Sequence, residues 1–305
     1  MQLSLFEDTE ERKEDPKQDH KRALLIDGNN VLNRAFYATA MSPVGKQTTL
    51  NGVHTNGVKG FLRMMLRYKK ELQITHLAVF FDKGKGFRSK LYSDYKATRK
   101  QQPMELSEQF PLIEEVLKNM GVPVFYNSDY EADDLISSAA KVLQSDMVVY
   151  TLSNDKDLFQ IITDRVIQIV RKGSADVFYD KKKFLEDYEG LNPKQIIDLK
   201  AMEGDTADNI PGIHGIGEKG AKELLHTFGT IEAIMEAIPN LPKELNRYKA
   251  KLANGKEDGL LFKKMVTLND QLHVLANTAE ICCDHWNMEA LKKDCVNLGM
   301  AFPKY

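Results

Sequence analysis

The sequence predicts an α/β protein with a largely parallel sheet flanked by helices, and three observations carry that prediction. From about residue 22, short apolar runs rich in β-branched residues alternate with longer amphipathic patterns. The apolar runs are continuous rather than alternating, as strands covered on both faces require. Three of them end in aspartate, which gathers acids beyond the carboxyl edge of such a sheet.

In chain order, RALLID (22–27), THLAVFFD (75–82), VPVFY (122–126), MVVYTLS (147–153) and RVIQIV (165–170) read as strands. Between them VKGFLRMMLRYKKEL (58–72), EQFPLIEEVLKNM (108–120) and YEADDLISSAAKVLQ (130–144) read as amphipathic helices. After about residue 183 the β signal fades. NPKQIIDLKAME (192–203), EKGAKELLHTF (218–228) and TIEAIMEAI (230–238) then read as helices around a glycine-rich turn. The expected organisation is an acidic, disordered tail over 1–20, an α/β core over 21–182 and a mostly helical part over 183–305.

With 305 residues, 42% hydrophobic and 28% charged, the chain is long enough for a substantial core. No stretch approaches the ~20 apolar residues that span a bilayer. The start lacks a basic segment followed by an apolar one, so no signal peptide is expected. Cys282, Cys283 and Cys295 have no metal-ligand spacing and suit reduced thiols. Residues 1–20 carry a net charge of −4, leaving +2 on residues 21–305 and +11 once nine candidate ligand acids are set aside. An acidic centre in a basic shell suits a metal-dependent enzyme acting on a polyanion.

The acids at the strand ends are Asp27, Asp82, and Asp155 with Asp157 two residues on. The EADD stretch adds Glu131, Asp133 and Asp134 near a helix start. Singly, each is explained by capping or by the helix dipole. Together they are not, because clustered carboxylates repel unless cations neutralise them, and hard oxygen donors point to Mg²⁺ or Mn²⁺. Two such ions about 4 Å apart serve in-line displacement at phosphorus. Asp205 and Asp208, spaced i, i+3, lead into Gly212, Gly215 and Gly217 with Lys219 and Lys222 alongside. That glycine-rich turn follows no strand, so it reads as a helical hairpin gripping a nucleic-acid backbone. Residues 81–103 hold Lys83, Lys85, Arg88, Lys90, Lys96, Arg99 and Lys100 interleaved with Phe87, Tyr92 and Tyr95. Basic and aromatic residues so mixed suit single-stranded nucleic acid.

DGNNVLNRAFYA, FDKGKGFRSKLYSDYKATR, YEADDLI, SNDKDLFQ, GDTADNIPGIHGIGEKGAKELL and FKKMVTLNDQL together resemble the 5′-nuclease family. That family includes phage flap endonucleases, the N-terminal nuclease domain of bacterial DNA polymerase I and free-standing 5′–3′ exonucleases; this chain is similar to the stand-alone form. The resemblance implies a PIN-like core, a helical arch over about 83–110 and a helix–three-turn–helix over about 195–228. It implies a DNA-cutting 5′ nuclease, both 5′–3′ exonuclease and flap endonuclease, in replication and repair, with two or three Mg²⁺ or Mn²⁺ ions. The metal ligands carried over are Asp27, Asp82, Glu131, Asp133, Asp134, Asp155, Asp157, Asp205 and Asp208. Arg34, Arg88, Lys96 and Arg99 are expected to hold the scissile phosphate or the strand. Lys83, Lys85, Phe87, Tyr92, Gly212, Gly215, Gly217, Lys219 and Lys222 are expected at DNA, with K⁺ at the hairpin. A monomer in the bacterial cytoplasm, on the nucleoid when bound to DNA, fits these expectations. A PIN-type ribonuclease and a non-catalytic DNA-binding protein are the alternatives.

One stretch stands apart. Gln2, Leu3, Ser4, Leu5 and Phe6 resemble the short peptide by which bacterial replication and repair proteins dock on the sliding clamp.

Overall fold

The computed structural model describes residues 21–41, 52–84 and 86–304. The QLSLF stretch and Lys85 lie outside these residues.

Strand β1 (Arg22–Asp27) runs into α1 (Gly28–Thr39), and α2 (Asn56–Glu71) leads to β2 (His76–Phe80). The one-turn helices α3 (Arg88–Leu91) and α4 (Met104–Ser107) precede α5 (Gln109–Met120) and the two-residue β3 (Val124–Phe125). Then come α6 (Ala132–Leu143), β4 (Val148–Leu152), β5 (Val166–Lys172) and β6 (Ala175–Tyr179). The sheet order is β3-β2-β1-β4-β5-β6, with every pairing parallel except β5 with β6. The chain therefore leaves β1 in one direction and resumes at β4 on its other side. The crevice of such a sheet opens at this switch point, beyond the carboxyl ends of β1 and β4.

Period-two alternation along β1 fills both layers. Leu24 and Ile26 join Val31, Phe61, Met65 and Ile113 on the side of α1, α2 and α5. Ala23 and Leu25 face the other way, onto Leu135, Ile136 and Ala139 of α6. The antiparallel β6, with its ADVFY sequence, was not among the expected strands. It is an edge strand with one face only partly buried, so its apolar signal is short and weak.

Beyond β6 the chain is helical. Helices α7 (Lys181–Asp187), α8 (Ile196–Glu203), α9 (Glu218–Phe228), α10 (Ile231–Ala237), α11 (Lys249–Asn254) and α12 (Lys256–Val266) follow in order. Leu199, Met202, Leu224, Leu225, Ile234 and Phe262 form their shared core. The last segment returns to the α/β part. Cys283 N–H donates to Thr75 O (2.9 Å), and α13 (Met288–Asn297) places Leu291 and Cys295 in the cluster of α2 and α5. The three cysteines are free thiols, and burial pushes Cys283 up to about 12. Among the described residues no helix is long and apolar enough to cross a membrane.

Candidate acidic active site

Local chemistry fixes the first two acids. Asp27 ends β1 and caps α1, its Oδ1 accepting from Asn30 N–H (2.9 Å), while its Oδ2 accepts from Ser153 Oγ–H (2.7 Å). Asp82, just past β2, accepts from Ala132 N–H at the start of α6 (2.8 Å). Glu131 is the N-cap of α6, with Asp133 in its first turn. Asp155 follows β4 and accepts from Asp157 N–H (2.9 Å). Asp27, Asp82, Glu131, Asp133 and Asp155 line one cavity of about 390 Å³ at the switch point.

Asp133 decides the character of this cavity. Its Oδ1 is buried without any hydrogen-bond partner. Burial raises its pKa well above the carboxylate range, and Asp155, Asp27, Asp82 and Asp157 add to the rise. Asp27 is pushed up to about 7, chiefly by burial and further by Asp82 and Asp155. Buried like charges with an orphaned oxygen are unfavourable as they stand. Among the described residues no three such groups converge tightly enough to grip one ion alone. Mg²⁺ commonly keeps several waters and takes only one or two carboxylates directly, so the all-oxygen set fits a hard divalent ion.

The remaining acids are held by cations of the chain itself. Lys200 Nζ bridges Asp157 and Asp205, at 2.7 Å from Asp205 Oδ2. Burial raises Asp157 to about 7, against the pull of Lys200. Asp208 accepts from Arg99 Nη2 (2.7 Å) and Tyr95 Oη (2.9 Å). Glu131 pairs with Lys96, and its Oε2 lies 2.9 Å from Tyr95 Oη, sharing that hydroxyl's one proton with Asp208. Lys96, with a left-handed φ of 57°, donates its backbone N–H to Asp208 O (2.9 Å). Lys96, Arg99 and Lys100 thus form a basic rim on the acidic cavity.

Residues 22–189 match the family model of the 5′-3′ exonuclease N-terminal, resolvase-like domain, and residues 191–289 match that of the 5′-3′ exonuclease C-terminal SAM fold. The chain belongs to the 5′-3′ exonuclease family. It is 36% identical to a 5′-3′ exonuclease of Bacillus subtilis over 255 residues, covering 82% of this chain and 84% of that protein. It is 40% identical to DNA polymerase I of Bacillus caldotenax over 251 residues, 81% of this chain but only 28% of the polymerase. The chain thus spans little more than a quarter of the polymerase relatives' length. In fold it resembles T5 5′-exonuclease solved with zinc ions (TM-score 0.68, 23% identity, 91% of this chain and 98% of that one). It also resembles the catalytic core of Rad2 in complex with DNA substrate (TM-score 0.60, 17% identity, 92% and 87%).

Within this exonuclease fold several expected site residues take other places. Asp134 is fully buried and its carboxylate is used up. It accepts both ends of the Arg88 guanidinium (2.7 and 2.8 Å), Asn269 N–H (2.8 Å) and Glu131 N–H (3.1 Å), so it is a structural acid rather than a metal ligand. Arg88 is 2% exposed, and its remaining N–H groups donate to Met265 O (2.6 Å), Thr267 O (3.0 Å) and Glu131 Oε2 (3.1 Å). Among the described residues of the expected helical arch, one-turn helices α3 and α4 are separated by turns and irregular backbone, and its Tyr95–Arg99 portion lies on the acids. Arg34 lies on the α1 face turned from the acidic cavity, against Met64 and Asn154. Lys222 is buried and paired with Glu218 and Glu189 (2.8 and 2.9 Å). Lys83 is exposed and stacks over the Tyr126 ring at 4.2 Å. Phe87 lies against Tyr130, and Tyr92 meets Phe262 edge-on.

The glycine turn links α8 to α9. Gly212 is buried at φ +69°, and a Cβ there would fall 2.3 Å from Gly204 N, so its role is close backbone packing. Gly215 also has positive φ, and its carbonyl accepts from Lys251 Nζ (2.8 Å). Gly217 and Lys219 at the start of α9 are exposed. Gly212→Ala is expected to cost roughly 3 kcal/mol of stability through strain and clash, read as a lowered thermal midpoint. An unchanged midpoint would refute this packing role. Lys200, Ser153 and Asn154 escaped sequence reasoning although they lie within five residues of an acid, because nothing in residue type or spacing shows that Ser153 meets Asp27, that Asn154 meets Arg34 or that Lys200 meets Asp157; folding alone makes those pairs.

Proposed function

We propose that this chain is a divalent-metal-dependent 5′ nuclease that hydrolyses DNA phosphodiesters, as a 5′–3′ exonuclease and flap endonuclease. The observation that carries the reading is the orphaned Asp133 oxygen among Asp27, Asp82 and Asp155, beneath a rim of Lys96, Arg99 and Lys100. Bound ions, Mg²⁺ or Mn²⁺, supply Lewis-acid polarisation and neutralise charge at the phosphorus. The acids Asp27, Asp82, Glu131, Asp133 and Asp155 would hold them, with Asp157, Asp205 and Asp208 beside. Lys96 and Arg99 sit where they can trade Glu131 and Asp208 for a phosphate of the incoming strand, balancing the charge that develops there. Tyr95 Oη lies 2.9 Å from both acids and shares its one proton between them, which holds that pair in register. No side chain is required as a general base.

The test is cleavage of a nicked duplex carrying a labelled 5′ flap, with and without Mg²⁺, beside the matched RNA. Metal-dependent cuts at the DNA junction support the reading, and cleavage confined to RNA would replace it with a ribonuclease. Exposed Lys219 would contact duplex backbone. Lys219→Ala should weaken binding to every duplex alike and lower the slope of log affinity against log salt by about 1. An unchanged slope would remove Lys219 from the interface.

The sequence also supports a clamp-docking role for Gln2, Leu3, Leu5 and Phe6. Calorimetry against a bacterial sliding clamp should show roughly micromolar binding, abolished by Leu5→Ala/Phe6→Ala. Equal heats from both proteins would dismiss it.

A further inference from the structure

A second basic depression lies on the far side of α1. Arg34, Arg63, Arg67 and Arg171 surround a cavity of about 500 Å³ between α1, α2 and the β5–β6 hairpin. Among the described residues lining it Asp176 supplies the one carboxylate, which is spent on Arg67 (2.6 Å) and Arg171 (2.9 Å). Among the described residues Arg34 and Arg63 have no carboxylate partner, and one end of Arg34 meets only the Met64 sulfur. With Glu71 also 4.0 Å from Arg67 Nε, four guanidiniums against two carboxylates leave a concave site two charges positive. Arg34, Arg67 and Arg171 are half-buried and Arg63 is exposed, so like charges converge on a concave surface open to solvent, which suits an anion. Small residues, Ala35, Ala38 and Gly173, leave room for a compact one.

The depression is tied to the acidic site by one side chain. Asn154 Oδ1 accepts from Arg34 Nη1 (3.3 Å) and Arg171 N–H (2.8 Å), while Asn154 N–H donates to Asn30 Oδ1 (3.0 Å). Asn154 immediately precedes Asp155, and Asn30 lines the acidic cavity. The two sites therefore occupy opposite faces of α1, a helix about 10 Å across.

We propose that the Arg34–Arg63–Arg67–Arg171 pocket binds a backbone phosphate of the uncut DNA strand, where the two strands part at the junction. This rests on the nuclease reading above. The cut strand is directed to the acids by Lys96 and Arg99. A phosphate held across the thickness of α1 then belongs to its complement. Through Asn154, filling the pocket also braces the loop that carries Asp155.

The experiment measures binding, not cutting, so it stays informative if the catalytic reading fails. Flap duplexes carrying one uncharged methylphosphonate at a time, on either strand, are titrated against the protein in a chelator. One or two neighbouring positions on the uncut strand should each lose roughly tenfold in affinity, and Arg34→Gln/Arg63→Gln should already have lost that factor and show no further sensitivity there. Equal sensitivity in the variant at those positions would overturn the proposal, as would coupling confined to the flap strand. Thermal protection by inorganic phosphate without coupling to any DNA position would reduce the pocket to a free-anion site and also overturn it. Should the double variant melt early, Arg63→Gln alone, at an exposed residue, decides the same comparison.

Discussion

Asp133→Asn is expected to lower the rate of flap cleavage in saturating Mg²⁺ by roughly 10³-fold, the scale on which removal of one fixed electrostatic group acts at a reacting centre. The same change should raise the melting temperature of the metal-free protein. Asp133 is a half-buried acid among Asp155, Asp27, Asp82 and Asp157, with its Oδ1 buried and unpartnered. An amide there removes one like charge and leaves the fold otherwise unaltered. Binding of flap DNA in a chelator should hold or improve.

The sign of the pH dependence follows from the same cluster. Asp27 and Asp157 are raised to about 7 in the fold, from an ordinary carboxylate value near 4. The folded state therefore binds more protons than the unfolded one between these limits. Stability of the metal-free protein should fall as pH rises from about 4 to 7, and the penalty is complete above pH 7. Mg²⁺ should flatten this fall, and Asp133→Asn should make it shallower. Thermal melts from pH 5 to 8, with chelator and with Mg²⁺, check both. A metal-free melting point that rises with pH, or undiminished cleavage by the variant, would refute the role given to Asp133.

Arg88→Ala should cost roughly 3–5 kcal/mol of stability, the range for breaking a buried ion pair from one side. The loss leaves the fully buried Asp134 without its counter-charge and frees the Met265 and Thr267 carbonyls. Arg88→Lys should recover little, because one ammonium cannot reproduce a bidentate grip and three further bonds, to Met265 O, Thr267 O and Glu131 Oε2. Arg88→Met/Asp134→Leu should regain part of the loss, since an apolar pair removes the uncompensated charge. Denaturant unfolding of the three variants distinguishes this from a role at the strand. If Arg88→Ala unfolds like the wild type yet cuts slowly, Arg88 works at the substrate instead.

The sequence by itself determined the five parallel strands and the position of the acids along them, but not the antiparallel edge strand β6. Apolar runs, capping and strand-end aspartates are local signals, and Asp27, Asp82 and Asp155 sit where such signals place them. Tertiary structure alone decided which charges face solvent. Arg88 reads as one more cation in a basic run. It is buried because Asp134, 46 residues on, and Thr267, 179 residues on, converge upon it. Arg34 reads as the neighbour of Asp27, yet a single step around α1 turns it from the acidic cavity toward Arg67 and Arg171. Lys200 carries no motif, and only folding brings it between Asp157 and Asp205. The physical reason is common to all three. Helix and strand follow from neighbours along the chain, whereas the partner of a charge is chosen across space, where burial makes an unpaired charge too costly to leave.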